Sequence, residues 1–348
     1  MGSWPAILKV VSGVVDLAAT ARETKAFLRP RRVRSAEDLL RLALMYGAGK
    51  LSLRGVAAEA TALEVAALSD VAVLHRLRHC GDWLALILDR LLAARAGVRR
   101  GRGVARLALV DGSTVSVPGS VGSDWRVHAR YEPAVGRFTD LVLTDAHTAE
   151  RLSCVAISPG DVMVSDRGYA RVRNFADLRA LGSDFITRIG WRSVRLFDAR
   201  GQPFEPLAKL PAAGVEVVEH AVWIGSAAIP ARLVIQRIPP EQVQRQHARL
   251  HRKASKKGQQ TDPRTTLAAG YLMLLTSLPA DLCPTHRIAG LYRLRWQIEL
   301  AFKRLKSLGG FAALPASDPA LARTWLLAQL IVAVLSEDLA HQVLDSPP

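Results

Sequence analysis

Cysteine is scarce in this chain. Cys80, Cys154 and Cys283 are its three among 348 residues, far apart and never in C-x-x-C spacing, which excludes a disulfide framework and a cysteine zinc site. A reducing cytoplasm fits. Long apolar runs are also missing: Trp325 to Leu335 is too short to span a bilayer and reads as a buried helix. The opening MGSWPAILKVVSGVVDLAATAR is broken by Lys9 and Asp16 and offers no convincing cleavage site, so it makes a poor signal peptide. The expected location is cytoplasmic, with no membrane partner. Internal repeats are absent too. Negative charge is in short supply, with 31 Asp and Glu against 47 Lys and Arg and a net charge of +16. A surplus of that size raises the local concentration of polyanions, which makes nucleic acid the first partner to consider. An Arg-rich composition set by coding bias is the bland alternative.

What is present is a foldable chain. At 49% hydrophobic and 22% charged residues, most of it should be globular, and the length suits two units. Residues 36 to 95 carry a helical apolar period, with Ser52 and Ser69 placed as N-caps. The two capped helices could form a helix-turn-helix with Arg76 and Arg78 on the second, or simply pack. Basic runs flank them, LRPRRVR before and VRRGRGVAR after. From residue 107 the period changes. ARLALVDGSTVSVP reads as a hairpin turning at Asp111-Gly112. RFTDLVLTDA, DVMVSDRGYA and DFITRI read as strands, with a helix over about 171 to 181. Residues 193 to 238 are strand-like again. EQVQRQHARLHRKASKKGQQTDPR then turns strongly basic, as a solvated helix and loop or as a phosphate-facing arm carrying Arg245, Arg249, Arg252, Lys253, Lys256 and Lys257. GYLMLLTSLP returns to strand character, and a helix begins near Pro284. The class is α/β or α+β.

On a helical wheel, Arg295, Glu299, Lys303 and Lys306 fall within roughly 80° of one another, while Leu294, Ile298, Ala301 and Leu305 fall opposite. A solvated face with weak ion pairs would look the same. Elsewhere, Asp111 ends the apolar run LALV and Asp166 ends VMVS. Burying a carboxylate there without a partner costs several kcal/mol unless a cation binds or the group protonates. Two strand-end aspartates and one helix glutamate form an oxygen cage suited to divalent ions, Mg²⁺ before others. Two such ions can drive in-line displacement at phosphorus. The alternatives stay open: Asp111-Gly112 is a good turn, Asp166 could cap a helix, and Asp140, Asp145 or Asp161 could replace either one.

Tyr292, Arg295, Glu299 and Lys306 together make the pattern Y-x2-R-x3-E-x6-K, and DGST, SDWRVH, SDRGY, DFITRI and LLTSLP surround it in order. In this the chain resembles the DDE transposases of bacterial insertion sequences, of the insertion sequence four type, over roughly residues 30 to 335. The resemblance implies an α/β fold with a ribonuclease H-like catalytic core, a β-rich insertion between the second aspartate and the glutamate, and a helical N-terminal DNA-binding region. The implied division is 1–100 for that region, 101–192 for the first part of the core, 193–265 for the insertion with its basic arm, and 266–348 for the rest of the core and the C-terminal helices. It further implies that Asp111, Asp166 and Glu299 hold two Mg²⁺ or Mn²⁺ ions. Tyr292, Arg295, Lys303 and Lys306 would hold double-stranded DNA, both transposon ends and target, in a homodimeric complex at the nucleoid. One feature departs from the pattern: the tryptophan on which some relatives stack a flipped base is replaced here by Tyr271 and Leu272, and neither Trp191 nor Trp223 is assigned that role. A DNA-binding relative without catalysis, and a metal-dependent nuclease that never joins, are the rival readings.

Overall fold

A computed structural model describes residues 4–97, 106–117, 119–120, 122–148, 151–256, 258–309, 314–315 and 317–345. The basic run at 98–105 and Lys257 of the arm lie outside them. Helices α1 (Trp4–Ser12), α2 (Leu17–Glu23), α3 (Ala36–Tyr46), α4 (Leu53–Ala62), α5 (Asp70–Leu77) and α6 (Gly81–Gly97) open the chain. The hydroxyls of Ser35, Ser52 and Ser69 accept from the amides three residues on, at 3.1, 3.1 and 3.2 Å. Each satisfies an otherwise orphaned first-turn donor, and so the expected caps are present. The two arginines of α4–α5 are used within the chain. Arg78 donates to Asp318 at 2.9 and 2.6 Å, and Arg76 lies 5.9 Å from the Phe27 ring centre.

The strands follow: β1 (Arg106–Val115), β2 (Trp125–Glu132), β3 (Arg137–Asp145) and β4 (Asp161–Ser165), then α7 (Val172–Ala180) and β5 (Asp184–Ile189). Next come β6 (Leu196–Phe197), β7 (Pro203–Phe204), β8 (Val217–Ile224), β9 (Ile229–Arg237), α8 (Pro240–Ser255), α9 (Pro263–Ala268) and β10 (Tyr271–Thr276). All ten join one mixed sheet in the order β3-β2-β1-β4-β5-β10-β9-β8-β6-β7. β1 runs antiparallel to β2, while β4 and β5 run parallel to β1. This is the mixed α/β architecture the sequence led us to expect.

Two sequence expectations need correction. Asp111-Gly112 does not turn: β1 passes straight through it, pairing Asp111 with Ala129 and Gly112 with His128. A D-G turn needs a positive φ, and Gly112 has none among the described residues, whereas Gly119 and Gly122 do, at φ 81° and 140°. The hairpin connection therefore falls between Val115 and Trp125, because β1, by staying extended through Asp111 and Gly112, keeps its ladder with β2 as far as Val115. The C-terminal signature does not lie on one helix either. It divides between α10 (Thr285–Arg293) and α11 (Trp296–Gly309), joined by three-residue hydrogen bonds from the amides of Leu294, Arg295 and Gln297.

Side chains alternate across the sheet. Leu109, Val162, Val164, Ile186 and Leu274 face α10, α11, α12 (Pro319–Asp345) and the N-terminal helices, while Val110, Met163, Phe185, Leu233 and Met273 face α7 and the opposite layer. By length and composition, Pro319–His341 of α12 could cross a membrane, yet 67% of that window is buried in protein. It is the core helix of the N-terminal layer. Gln329 donates to the carbonyl of Gly47 at 2.9 Å, and a Cβ on Gly47 would fall 2.4 Å from that of Ala328.

Arg95 ties three elements together. Its side chain is 3% exposed, pairs with Glu337 at 3.0 Å and Asp338 at 2.9 Å, and donates to the carbonyls of Phe138 and Val334. Removing one partner of a buried ion pair typically costs about 3–5 kcal/mol. Arg95→Ala is therefore expected to destabilise the chain by roughly that much, since Glu337 and two carbonyls lose a donor and Asp338 is left with Arg137 as its cation. Urea unfolding checks it, and a loss under about 1 kcal/mol would show that water replaces the guanidinium.

Candidate active site

Leu109 faces the helical layer, so Asp111, two residues on, faces it as well; Val164 and Asp166 repeat the relation on β4. The last parallel register pair is Val110 with Ser165. Asp111 and Asp166 therefore leave the ladder side by side where β1 outruns β4, at the carboxyl ends of parallel strands and at the strand where neighbour direction switches. Such a crevice is where open α/β sheets bind ligands. Above it, α10 crosses β4 and β5 and α11 packs on β1. Ile298, Ala301 and Leu305 are buried, which turns Glu299 outward along the rim.

Arg295 sits at the α10–α11 junction and connects the parts. Its Nη1 lies 3.6 Å from Asp111 Oδ2 and its Nη2 donates to Glu299 Oε1, so one guanidinium bridges two carboxylates. Its side chain is 18% exposed, Asp111's 20% and Glu299's 55%. Arg295 Nε is buried without a hydrogen-bond partner among the described residues. Tyr292 lies under the guanidinium, 5.8 Å from ring centre to Cζ, and burial raises its phenol pKa. Burial also pushes the Asp111 carboxyl up to about 6, and the like charges of Asp166 and Glu299 add to that. The Gly112 amide, 2.8 Å away, and Arg295 oppose the rise.

The structure thus brings together Asp111, Asp166, Tyr292, Arg295 and Glu299. Lys303 and Lys306 are exposed further along α11, about 6 and 10 Å of helix rise beyond Glu299. Asp166 also does what its local alternative required, accepting from the Gly168 amide at 2.8 Å as a cap. The substitute aspartates are engaged elsewhere. Asp161 is fully buried against Arg130 and Arg106, Asp140 accepts from the Ala156 amide, and Asp145 holds Thr148.

Sequence reading missed the cleft beside these groups. About 670 Å³ in volume, it runs from Asp166, Tyr292 and Arg295 to Arg188, Arg249 and Lys253. Arg188 stood in plain view as the one cation in the apolar strand DFITRI; what hid the cleft was the return of α8 across the sheet. Trp191 lies in its wall and carries two guanidiniums over its ring, Arg192 at 4.0 Å and Arg264 at 4.1 Å. A larger cavity of about 820 Å³ lies on the other side of α8, lined by Arg237, Val243, His247 and Tyr271, and holds none of the three carboxylates.

Three carboxylates without thiolate or imidazole suit a hard divalent cation. Like-charge strain on Asp111, already shared with one guanidinium, is what such a cation would relieve. In donor chemistry the residues fit. They are not drawn into a closed cage: among the described residues no three His, Cys, Asp or Glu stand close enough to hold an ion, and Arg295 fills the space between Asp111 and Glu299.

The family described as "Transposase DDE domain" matches residues 102–335. InsL of insertion sequence element IS186A from Escherichia coli strain K12 is 41% identical over 357 residues, covering 99% of this chain and 96% of its own. The transposase for insertion sequence element IS421 of Escherichia coli is 41% identical over 358 residues with the same coverage. The transposase for IS231F of Bacillus thuringiensis subsp. israelensis is 24% identical over 170 residues, 44% of this chain and 36% of that protein.

Proposed function

The chain belongs to the DDE-domain transposases, and from that premise we propose that it cuts DNA at the ends of its own insertion sequence and joins those ends to target DNA. The observation that carries this reading is that Asp111, mid-way along β1 where the ladder to β4 ends, feels the charges of Asp166 and Glu299 and shares Arg295 with Glu299, under a junction that also holds Tyr292. Asp111, Asp166 and Glu299 would hold two Mg²⁺ or Mn²⁺ ions, which when bound activate a water or 3′-hydroxyl and stabilise the leaving oxygen. Arg295 then turns from the carboxylates toward a phosphate, Tyr292 backs it, and Lys303 and Lys306 extend the contact along the DNA. Phosphoryl transfer asks for positioning and charge neutralisation more than for a covalent nucleophile. Asp111 therefore acts as an anionic anchor at the buried end of the site and Glu299 as one at its open rim.

The order β3-β2-β1-β4-β5, an antiparallel meander followed by two parallel strands, supports a ribonuclease H-like core over 101–192, completed by 266–348. Residues 193–265 form its insertion. For the helical region 1–100, the exposed Arg29, Arg31 and Arg34 of LRPRRVR are proposed to reach DNA, since Arg76 and Arg78 are already engaged. We place the working complex, a homodimer on double-stranded DNA, at the bacterial nucleoid.

Wild-type protein mixed with labelled duplexes bearing the element's ends and either Mg²⁺ or Mn²⁺ is expected to give both cut and joined products. Cutting without joining would make it a metal-dependent nuclease. Binding without cutting in either metal would make it a DNA-binding relative.

A further inference from the structure

Between β9 and β10 the chain leaves the sheet as an arm made of α8 and α9. No residue of α8 is fully buried. Val243, Leu250 and Ala254 are half-buried on one side, and the cations gather on another. At about 100° per residue, Arg245, Arg249, Arg252, Lys253 and Lys256 fall within roughly 100° of one another. They extend over about 16 Å of helix axis. All five are exposed, and none makes an ion pair among the described residues. The only acidic residue of α8 is Glu241, in its first turn. Five like charges held in one stripe repel one another, and a polyanion with regularly spaced charges is the partner that relieves them.

The arm is pinned at its base. Arg264 of α9 and Arg192, just beyond β5, both lie over the ring of Trp191, whose Nε1 donates to Thr265 Oγ1 at 3.4 Å. Arg192 also pairs with Asp262 at 2.7 Å, and Arg264 with Glu205 at 3.1 Å. This arginine–tryptophan–arginine stack fixes α9 to the strand that carries Arg188, and so sets where α8 lies. Gln246, Arg249 and Lys253 consequently line the same cleft as Asp166, Tyr292 and Arg295.

We propose that the cation face of α8 is a second wall for the DNA backbone, opposite α10 and α11, and that Trp191 is the positioning residue that holds this wall at the cleft. This rests on the transposase reading and adds to it a sequence-independent grip on phosphates next to the reacting one. Its contacts are ionic, so the grip shows in salt dependence: each phosphate neutralised on duplex DNA steepens the fall of log K with log salt by about 0.9.

The test measures binding in EDTA, where nothing is cut, to a duplex bearing the element's end and to a random duplex of equal length, over a series of salt concentrations. The triple variant Arg245→Gln, Arg249→Gln, Arg252→Gln is expected to flatten the slope by about 2 to 3 on both duplexes. Its melting curve should match wild type, because all three residues are exposed. Trp191→Ala, which keeps every cation, is expected to flatten the slope as well, while Trp191→Phe, still able to stack between guanidiniums, keeps it. A triple variant with the wild-type slope overturns the wall. A flattened triple variant beside a Trp191→Ala of wild-type slope overturns the positioning role. If wild type binds neither duplex, the transposase reading falls and takes this proposal with it; if wild type binds and only the slopes fail to move, the arm alone is wrong.

Discussion

Glu299→Gln is expected to bind end DNA at least as tightly as wild type and to cut and join it on the order of a thousandfold more slowly. The substitution keeps shape and removes one negative charge. Glu299 is 55% exposed in the first turn of α11, and its bond to Arg295 is an exposed i,i+4 pair, worth about 0.2–1 kcal/mol at most. The fold should therefore survive, leaving the chemistry as the place where the loss appears. A neutral amide is a poor ligand for a hard cation. Losing about 4 kcal/mol of transition-state stabilisation corresponds to roughly three factors of ten in rate. DNA binding should not suffer, because Arg295 gives up a carboxylate partner and becomes free for phosphate. Gel-resolved cutting and joining, run beside a binding titration, decides it. A variant that cuts within about tenfold of wild type would remove Glu299 from the site, with the loss expected from a metal-binding charge as the yardstick.

Asp111→Asn is expected to fail in the same assay and, unlike Glu299→Gln, to stabilise the protein in metal-free buffer. Burial, joined by the charges of Asp166 and Glu299, raises the Asp111 pKa from 3.8 to about 6. Between those values the folded chain holds a proton that the unfolded chain has released, so folding stability falls as pH rises through the window. Above pH 6 the ionised carboxylate is a standing cost of about 2–3 kcal/mol. Asparagine keeps an oxygen for the Gly112 amide and carries no charge. Its advantage over wild type should be near 2 kcal/mol at pH 7.5 and vanish below about pH 4, where wild type is itself protonated. Denaturant unfolding in EDTA at the two pH values measures both. A variant less stable than wild type at pH 7.5 would mean that the bridge to Arg295 outweighs the burial of the charge. With the expected gain instead, the residue that limits stability is the one the chemistry needs, a trade common at active sites.

Much of this was legible in the residues. Serine caps at Ser52 and Ser69, the strand over DFITRI and the helix after SDRGY are local events, settled by hydrogen bonds within a few residues. The carboxylates could be singled out because each ends an apolar run. What the sequence hid was decided by distant partners. Asp111-Gly112 has the composition of a turn, yet its pairing with Ala129 and His128 of β2 holds it extended. The break at Leu294–Arg295 has no proline or glycine to announce it, and it brings Arg295 down between two carboxylates where a continuous wheel had set it beside them. Arg76 and Arg78 looked free for DNA, but Phe27 and Asp318, the latter 240 residues away, take them up. The basic run after β9 gave its charge readily. That its cations share one face, and that the contacts of Arg192, Trp191 and Arg264 set the arm so that Arg249 and Lys253 reach the cleft, depends on packing across the sheet.

α12 comes long after the opening helices in the chain, yet it completes their interior. Gly47, Leu77, Arg78, Asp82 and Arg95 all bond to residues between Asp318 and Asp338. During synthesis the opening helices therefore lack their central partner until the whole sheet has been made. At about 5–20 residues per second the stretch from Gly97 to Pro319 takes from roughly ten seconds to three quarters of a minute. A nascent chain in this interval exposes apolar helix faces to chaperones. A product cut short by premature termination forfeits the packing of its N-terminal region along with its C-terminal helices, so a truncated copy would be a poor competitor for the DNA that the full chain binds.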